Sequence, residues 1–147
     1  MILRRATPDD SGVVAEISTA SRHAAMPTIA WAHTAEEDRW WAANILLPQE
    51  DVWLAEDGGA VLGFMALHDD WLSQLYLRPG TWRKGIGSAL LAHAKALRPA
   101  GLRLWCFQVN TRARAFYEHH GFVAERMTDG AENEERAPDV MYVWRGV

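Results

Sequence analysis

Residues 75–91 read LYLRPGTWRKGIGSALL, the most informative stretch of the sequence. An apolar strand pattern runs into a glycine-containing loop, and the loop opens an apolar helix pattern. Such a junction aims free backbone N–H groups and the positive end of a helix at an anion. Gly85 and Gly87 allow a positive φ and the close approach of a phosphate, while Arg83 and Lys84 add positive charge. A phosphate-binding turn is therefore one interpretation of the stretch.

The spacing of these glycines excludes two familiar phosphate motifs. Gly80 and Gly85 have the separation of a Walker A loop. Ile86 and Gly87, however, occupy the positions that need Lys and Ser or Thr. The dinucleotide fingerprint fails because Leu90 stands where its third glycine belongs. A tight strand-to-helix turn without a ligand accounts for the glycines equally well, so the loop alone leaves both interpretations open.

The pattern on either side of this stretch predicts an α/β chain. The order β-α-α-β-β-β-α-β-α-β-β predicts a mixed sheet with helices packed on it. In the second helix, the helical spacing of four residues predicts that they share one face: Trp40, Trp41, Asn44 and Ile45. The predicted elements are strand Ile2–Arg5, helices that start at Thr7 and Thr34 and end by Pro27 and Pro48, strands Val52–Glu56, Val61–Leu67 and Trp71–Leu77, helix Ile86–Leu97, strand Leu102–Val109, helix Thr111–His120, and strands Phe122–Met127 and Val140–Trp144.

Composition limits the classes of protein to which the chain can belong. With 147 residues, of which 49% are hydrophobic and 23% charged, residues 1–147 are expected to form a single globular domain. The net charge of −4 argues against a nucleic-acid binder. Short apolar runs and a polar N-terminal segment predict neither a membrane span nor a signal peptide, so we expect a cytoplasmic protein. The lone Cys106 allows no internal disulfide and is expected to be a buried, inert thiol in a strand.

A second stretch, residues 104–122, reads LWCFQVNTRARAFYEHHGF. Together the two stretches resemble the GNAT family of acetyl-CoA-dependent N-acetyltransferases. Residues 82–87 are similar to the family's Gln/Arg-x-x-Gly-x-Gly/Ala loop, with Trp82 in place of Gln or Arg. Residues 110–122 are similar to its Asn-(x)6-Tyr-(x)3-Gly-Phe helix. The matching residues of this second motif are Asn110, Tyr117, Gly121 and Phe122.

The resemblance implies a GNAT-like α/β fold, a mixed and mostly antiparallel sheet of about seven strands flanked by four helices. It implies direct transfer of an acetyl group from acetyl-CoA to a primary amine of a small molecule or peptide. The coenzyme's pantetheine arm would pair with the main chain of strand residues 75–77, and its pyrophosphate would bind loop amides. The implied coenzyme-binding residues are Leu75, Tyr76, Leu77, Arg83, Lys84, Gly85, Ile86, Gly87, Ser88, Asn110 and Tyr117.

The same resemblance implies that Tyr117 lies near the sulfur of the coenzyme. A phenol with a pKa of about 10 can protonate a departing thiolate, whose pKa is about 8.5. Tyr117 is therefore predicted to be the general acid, although packing of the Phe116–Tyr117 pair on the sheet is an alternative explanation of this residue. An acceptor amine with a pKa of about 10.4 must lose a proton before it attacks, which costs about 4–5 kcal/mol at pH 7.

The general base is less well defined by the sequence. Some family members carry a glutamate five residues before the asparagine, and this chain has Trp105 there. We expect Glu134 or Glu135 in the acidic loop between residues 129 and 139 to take that role. A solvated charge or a hydrogen-bonded histidine is an alternative explanation of each candidate. The other candidates are Asp69, Asp70, His23 and His33.

The remaining expectations concern metals, partners and rival functions. His119 and His120 are adjacent and point different ways on a helix, so no metal site is predicted. A non-catalytic acyl-CoA-binding or regulatory domain is one rival function, and a plain anion-binding module is another. No nucleic acid or membrane partner is expected, and a homodimer is one option for assembly.

Three of the eight tryptophans are expected to form a wall of the acceptor site, with core packing as the alternative: Trp31, Trp40 and Trp41.

Overall fold

The computed structural model describes residues 1–82 and 84–147 as a seven-stranded sheet with helices on both faces. The strands are β1 (Ile2–Arg5), β2 (Asp51–Asp57), β3 (Ala60–His68), β4 (Trp71–Leu77), β5 (Leu102–Phe107), β6 (Val123–Thr128) and β7 (Asp139–Trp144). The helices are α1 (Ser11–Ala25), α2 (Ala35–Trp41), α3 (Leu47–Gln49), α4 (Ile86–Leu97) and α5 (Thr111–His119). A π-helical turn, Ala42–Leu46, joins α2 and α3 into one segment, so the structure has the mixed sheet and four helical segments that were predicted.

The sheet order is β1-β2-β3-β4-β5-β7-β6, and every neighbouring pair is antiparallel except β4 and β5. The central strand β3 shows why both faces are covered. Phe64 and Ala66 are buried against α1 and the π-helical turn, whereas Met65 and Leu67 are buried in the cluster that contains α4. Because side chains alternate along a strand, this unbroken apolar run serves two cores. We call the α1 and α2 side the first face and the α4 and α5 side the second face.

Local signals in the sequence place several element ends correctly. Strand β4 and helix α4 have the predicted bounds, and the hairpin turns at Gly58 and Gly59, which both have positive φ. Helix α2 starts at the predicted capping box. The Thr34 hydroxyl accepts from the Glu37 amide at 3.1 Å, and the Glu37 carboxylate accepts from the Thr34 amide at 3.0 Å. These ends were predictable because each depends on residues only a few positions apart.

The predicted face of the second helix is wrong. Trp40 is 61% exposed, whereas Asp38, Ala42 and Leu46 are buried. The π-helical turn widens the helix, so positions four apart stay on one line. The buried line also contains an aspartate that pairs with Arg22 of α1, and an apolar pattern does not reveal such a residue.

Three smaller predictions of element ends are also corrected. Pro48 lies within the first turn of α3, where no intrahelical N–H is required, so the helical segment continues to Gln49. Strand β5 ends at Phe107, because the backbone and side-chain amides of Gln108 turn to the β6–β7 loop and the ends of those strands. Helix α5 ends at His119, one residue early. Within residues 1–82 and 84–147, no helix combines the length and apolar character needed to cross a membrane.

Candidate active site

The candidate site is a cavity of about 1220 Å³ at the place where β4 and β5 separate. These parallel strands have one registered pair within the described residues, Trp71 with Arg103. Beyond it they diverge, and Leu75 and Leu77 of β4 line the cavity opposite Leu104 and Cys106 of β5. Backbone groups of parallel strands that diverge are left without their usual partners. The gap can therefore hold an extended ligand that pairs with a strand edge.

The cavity reaches both faces of the sheet. On the first face it is lined by Ser21 and Met26, which belong to α1 and the residue after it, and by Tyr76. On the second face it is lined by the start of α4 and by α5, including Ser88 and Tyr117. A reaction that joins two substrates can therefore receive one from each side.

Gly85 caps the N-terminus of α4 in a left-handed conformation, with φ of 80° and ψ of 3°. A Cβ at Gly85 would meet nothing within 4 Å, so the backbone conformation rather than space requires glycine. At Gly87, a Cβ would lie 3.4 Å from Cζ of Phe116 on α5, an ordinary van der Waals distance, so the space there does not require glycine. Both glycines line the cavity, where the first-turn amides of α4 lack intrahelical acceptors.

The other predicted residues of this loop lie in different surroundings. Ser88 and Trp82 line the cavity, but Ile86 is buried in the second-face core and can offer a ligand only its backbone. Lys84 is exposed and does not line the cavity. Arg83 lies outside the described residues.

Asn110 begins α5 and lines the cavity. Its side-chain oxygen accepts from the Ala113 amide at 3.2 Å and so caps the helix. The two amide hydrogens of Asn110 remain for a ligand, because the cap uses only the oxygen. The family resemblance implied a ligand role for Asn110, which stays a prediction, and the sequence analysis missed this cap.

Tyr117 lies on the inner face of α5, only 8% exposed, and lines the cavity. Its ring packs against Phe116, Phe122 and Tyr142, with centroid distances of 5.3, 5.6 and 6.3 Å. Burial raises the pKa of the Tyr117 phenol, and the neighbouring Cys106 adds to the effect. A phenol with a raised pKa is protonated at neutral pH, so the hydroxyl of Tyr117 carries its proton there.

Cys106 is buried in β5, as the sequence indicated. Burial raises the pKa of its thiol to about 12. Because the thiolate is the nucleophilic form, a thiol with this pKa is a poor nucleophile at neutral pH. Its S–H points to the Phe107 carbonyl, with a sulfur-to-oxygen distance of 3.6 Å.

The acidic loop between β6 and β7 lines the cavity, but the two predicted glutamates, Glu134 and Glu135, are not among its lining residues. Asp129 and Glu132 are. Glu134 accepts from Nε2 of His33 at 2.7 Å, which links this loop to the segment before α2. Glu135 is half-buried. Burial raises the pKa of Tyr76, which lines the cavity on the first face.

The remaining base candidates are held away from the cavity. Asp70 receives two hydrogen bonds from Arg103, at 2.9 and 3.0 Å, and this contact lowers the pKa of its carboxyl group. Asp69 occupies the turn between β3 and β4 with a positive φ. His23 packs on Trp31, with ring centroids 6.0 Å apart. None of these three lines the cavity.

The predicted tryptophan wall is only partly formed. Trp31 packs edge-on against Phe107, a cavity residue, and beneath the Arg22 guanidinium at 4.9 Å. Trp41 packs in the first-face core, and Trp40 faces solvent. Among the described residues, no group of three or more His, Cys, Asp or Glu is placed to hold a metal ion.

A sheet that opens between two parallel strands beside a glycine-capped helix defines an α/β protein with a cleft for an elongated, phosphate-bearing ligand. The family model described as "Acetyltransferase (GNAT) domain" matches residues 48–124, just over half of the chain. The chain belongs to the GNAT acetyltransferase family, whose acetyl donor is acetyl-CoA.

Three curated relatives carry acetyltransferase names. The chain is 35% identical over 79 residues to a "Probable N-acetyltransferase" of Mycobacterium tuberculosis, a match that covers 48% of this chain and 45% of the relative. It is 36% identical over 77 residues to the peptidyl-lysine N-acetyltransferase YjaB of Salmonella typhimurium, covering 52% of each. It is 28% identical over 122 residues to the peptidyl-lysine N-acetyltransferase YiaC of Escherichia coli, covering 78% of this chain and 81% of the relative. The chain thus spans about half the length of the first two relatives.

Solved structures show the same fold over the whole length. The apo form of YjaB from Escherichia coli has a TM-score of 0.81 at 22% identity and covers 100% of both chains. The PaiA N-acetyltransferase of Thermoplasma acidophilum, solved in complex with coenzyme A, has a TM-score of 0.75 at 20% identity and covers 98% of both chains.

Proposed function

We propose that this chain is an N-acetyltransferase that moves the acetyl group of acetyl-CoA to the side-chain amine of a lysine in a peptide or protein. The main support for this proposal is the cavity between β4 and β5, which opens to both faces of the sheet. The names of two relatives, both peptidyl-lysine N-acetyltransferases, support the choice of acceptor.

The second face suits the coenzyme. Loop amides around Gly85, Gly87 and Ser88 would hold the pyrophosphate, and the exposed edge of β4 at Leu75 and Leu77 would pair with the pantetheine arm. These residues fit the ligand because they offer backbone donors and an apolar wall without a side chain in the way. The bound coenzyme supplies an acetyl group activated as a thioester.

The first face suits a cationic acceptor, because Tyr76 and Met26 give the cavity an apolar wall there. Asp129 and Glu132 also line the cavity, and their loop is linked to the segment before α2 through Glu134 and His33. Carboxylates attract an ammonium group, and apolar side chains accommodate the methylene stem of a lysine. A small amine with an apolar part meets the same chemistry, so the acceptor test below includes one.

Tyr117 would donate the proton that the sulfur needs when the bond between the acetyl carbon and sulfur breaks. Burial raises the pKa of this phenol, which makes the phenolate harder to form. The same burial also disfavours a thiolate beside it, so the two costs offset each other and the proton transfer stays feasible. Asn110 would hold the coenzyme through its free amide hydrogens.

Glu135 is the better of the two predicted bases. Its side chain is half-buried, whereas the exposed Glu134 is already engaged by His33. It would take the proton that the amine loses when the bond between nitrogen and the acetyl carbon forms, either directly or through a water molecule.

The direct test is to follow release of the coenzyme thiol with acetyl-CoA and a peptide that has one lysine and a blocked N-terminus. The matched control is the same peptide with that lysine already acetylated. A second arm uses a peptide whose only free amine is its N-terminus, and a third uses a small alkyl diamine. Mass spectrometry of the product identifies the nitrogen that is modified.

We expect thiol release with the lysine peptide and none with the acetylated one. Release only with the diamine or the N-terminal amine would contradict the lysine assignment but keep the transferase. Binding of acetyl-CoA without release in any arm would favour the non-catalytic acyl-CoA-binding alternative.

A further inference from the structure

Trp82 stands where the family loop carries Gln or Arg, and the structure shows what accompanies this departure. The guanidinium carbon of Arg112 lies 4.5 Å from the centroid of the Trp82 ring. Arg112 is in the first turn of α5, and Trp82 is in the loop before α4. A contact between two elements thus places a cation beside a loop that lacks one at position 82.

Both side chains line the cavity, on the side of the coenzyme loop. Ion pairs within residues 1–82 and 84–147 engage other arginines, and Arg112 is not among them. The arginines in those pairs are Arg4, Arg5, Arg22, Arg78, Arg103 and Arg145. Its N–H groups face no carboxylate, so an anion that binds Arg112 does not have to displace an existing partner.

Stacking on an indole suits this role. A guanidinium stacked on an aromatic ring keeps its in-plane N–H donors free, and those donors match the oxygens of a phosphate. The ring also restricts the rotamers of a long, exposed side chain, so less conformational entropy is lost on binding. Trp82 can thus position Arg112 without touching the phosphate itself.

We propose that Arg112, held over Trp82, binds a phosphate of the coenzyme and so replaces the loop side chain that this sequence lacks. The inference rests on the proposed function, because it takes acetyl-CoA to be the ligand. Trp82 is a positioning residue, and Arg112 is a specificity residue for the phosphorylated end of the ligand.

The test is calorimetric titration of coenzyme A, without an acceptor, into the wild-type chain and its variants. Arg112→Ala should raise the Kd for coenzyme A about tenfold, because a charge-assisted hydrogen bond is lost. The control Arg39→Ala removes the same charge from an exposed position on α2, outside the cavity, and should leave the Kd unchanged. The tenfold difference should shrink at high salt, because an exposed ion contact is screened.

A double-mutant cycle tests the role of Trp82. Trp82→Ala should raise the Kd about threefold in the wild-type background and have no effect when Arg112 is already alanine. Trp82→Phe should restore most of the affinity, because it keeps an aromatic face. A Trp82→Ala loss that persists in full without Arg112 would overturn the positioning role.

Titration with 3′-dephospho-coenzyme A identifies the phosphate. If the Arg112→Ala loss disappears with this ligand, Arg112 binds the 3′-phosphate, and if it stays, Arg112 binds the pyrophosphate. Both results support the proposal. A Kd for Arg112→Ala within twofold of the Arg39→Ala control would overturn the Arg112 proposal but leave the proposed function intact. If the wild-type chain does not bind coenzyme A, both the Arg112 proposal and the proposed function are overturned.

Discussion

The two faces of the cavity are built from the chain in opposite ways. The lining residues of the coenzyme side come from two short parts of the chain, Leu75 to Ser88 and Asn110 to Tyr117. The acceptor side combines α1, the end of β4 and a loop more than 100 residues after α1. Main-chain recognition by a capped helix requires glycines at fixed spacing, so it leaves a local signature. Recognition by side chains from distant segments leaves none.

The largest expected effect is on the rate of acetyl transfer, with the affinity for coenzyme A unchanged. Tyr117→Phe removes the proposed proton donor and should lower the rate of acetyl transfer about a hundredfold or more. The Kd for coenzyme A should not change, because the ring and its packing remain. Thermal melting checks the fold, and a transfer rate within twofold of wild type would contradict the role of Tyr117.

The next effect concerns the acceptor side. Asp38 accepts hydrogen bonds from Arg22 and Thr19, both at 2.7 Å, and joins α2 to α1. Asp38→Asn leaves the Arg22 charge without its partner and should lower the free energy of unfolding by about 2 kcal/mol in chemical denaturation. In the folded variant the KM for the acceptor should rise more than the Kd for coenzyme A. An equal loss on both sides would contradict the division between the two faces.

A smaller effect is expected at the glycine of the coenzyme loop. Gly85→Ala places a side chain at φ of 80°, which should cost about 1 kcal/mol of stability and weaken coenzyme binding as the loop amides move. The control is Gly12→Ala on α1, where a Cβ meets nothing within 4 Å and φ is not positive. This control should leave both quantities unchanged or raise the melting temperature slightly. If the two variants bind coenzyme A equally well, the loop does not hold the pyrophosphate.

The smallest effect is a pH dependence on the acceptor side. Glu134, and then Glu37, raise the pKa of His33, which joins the acidic loop to the start of α2. Because the folded-state pKa is raised, this contact contributes fully below the unfolded pKa and is lost as pH rises through the folded value. Titration of the His33 ring by NMR should show a pKa above that of free histidine, lowered more by Glu134→Gln than by Glu37→Gln. A His33 pKa equal to that of free histidine would contradict the contact.

Residues that act through near neighbours in the sequence were predictable. The capping box at Thr34, the hairpin at Gly58, strand β4 and helix α4 all follow from patterns within a few positions. Gly85, Asn110 and Tyr117, which the family resemblance indicated, line the cavity, and their roles stay predictions. The buried face of the second helix was not predictable, because a π-helical turn and an ion pair to α1 determine it. The contact between Arg112 and Trp82 was missed for the same reason, since the two residues lie on separate elements.

The most direct test of the central claim, that donor and acceptor meet in the gap between β4 and β5, is a crystal structure with bound coenzyme A. We expect the pantetheine arm along Leu75 and Leu77, with the thiol within hydrogen-bonding reach of the Tyr117 hydroxyl and open to the first face. A thiol that lies elsewhere, or one that the acidic loop cannot reach across the gap, would contradict the account.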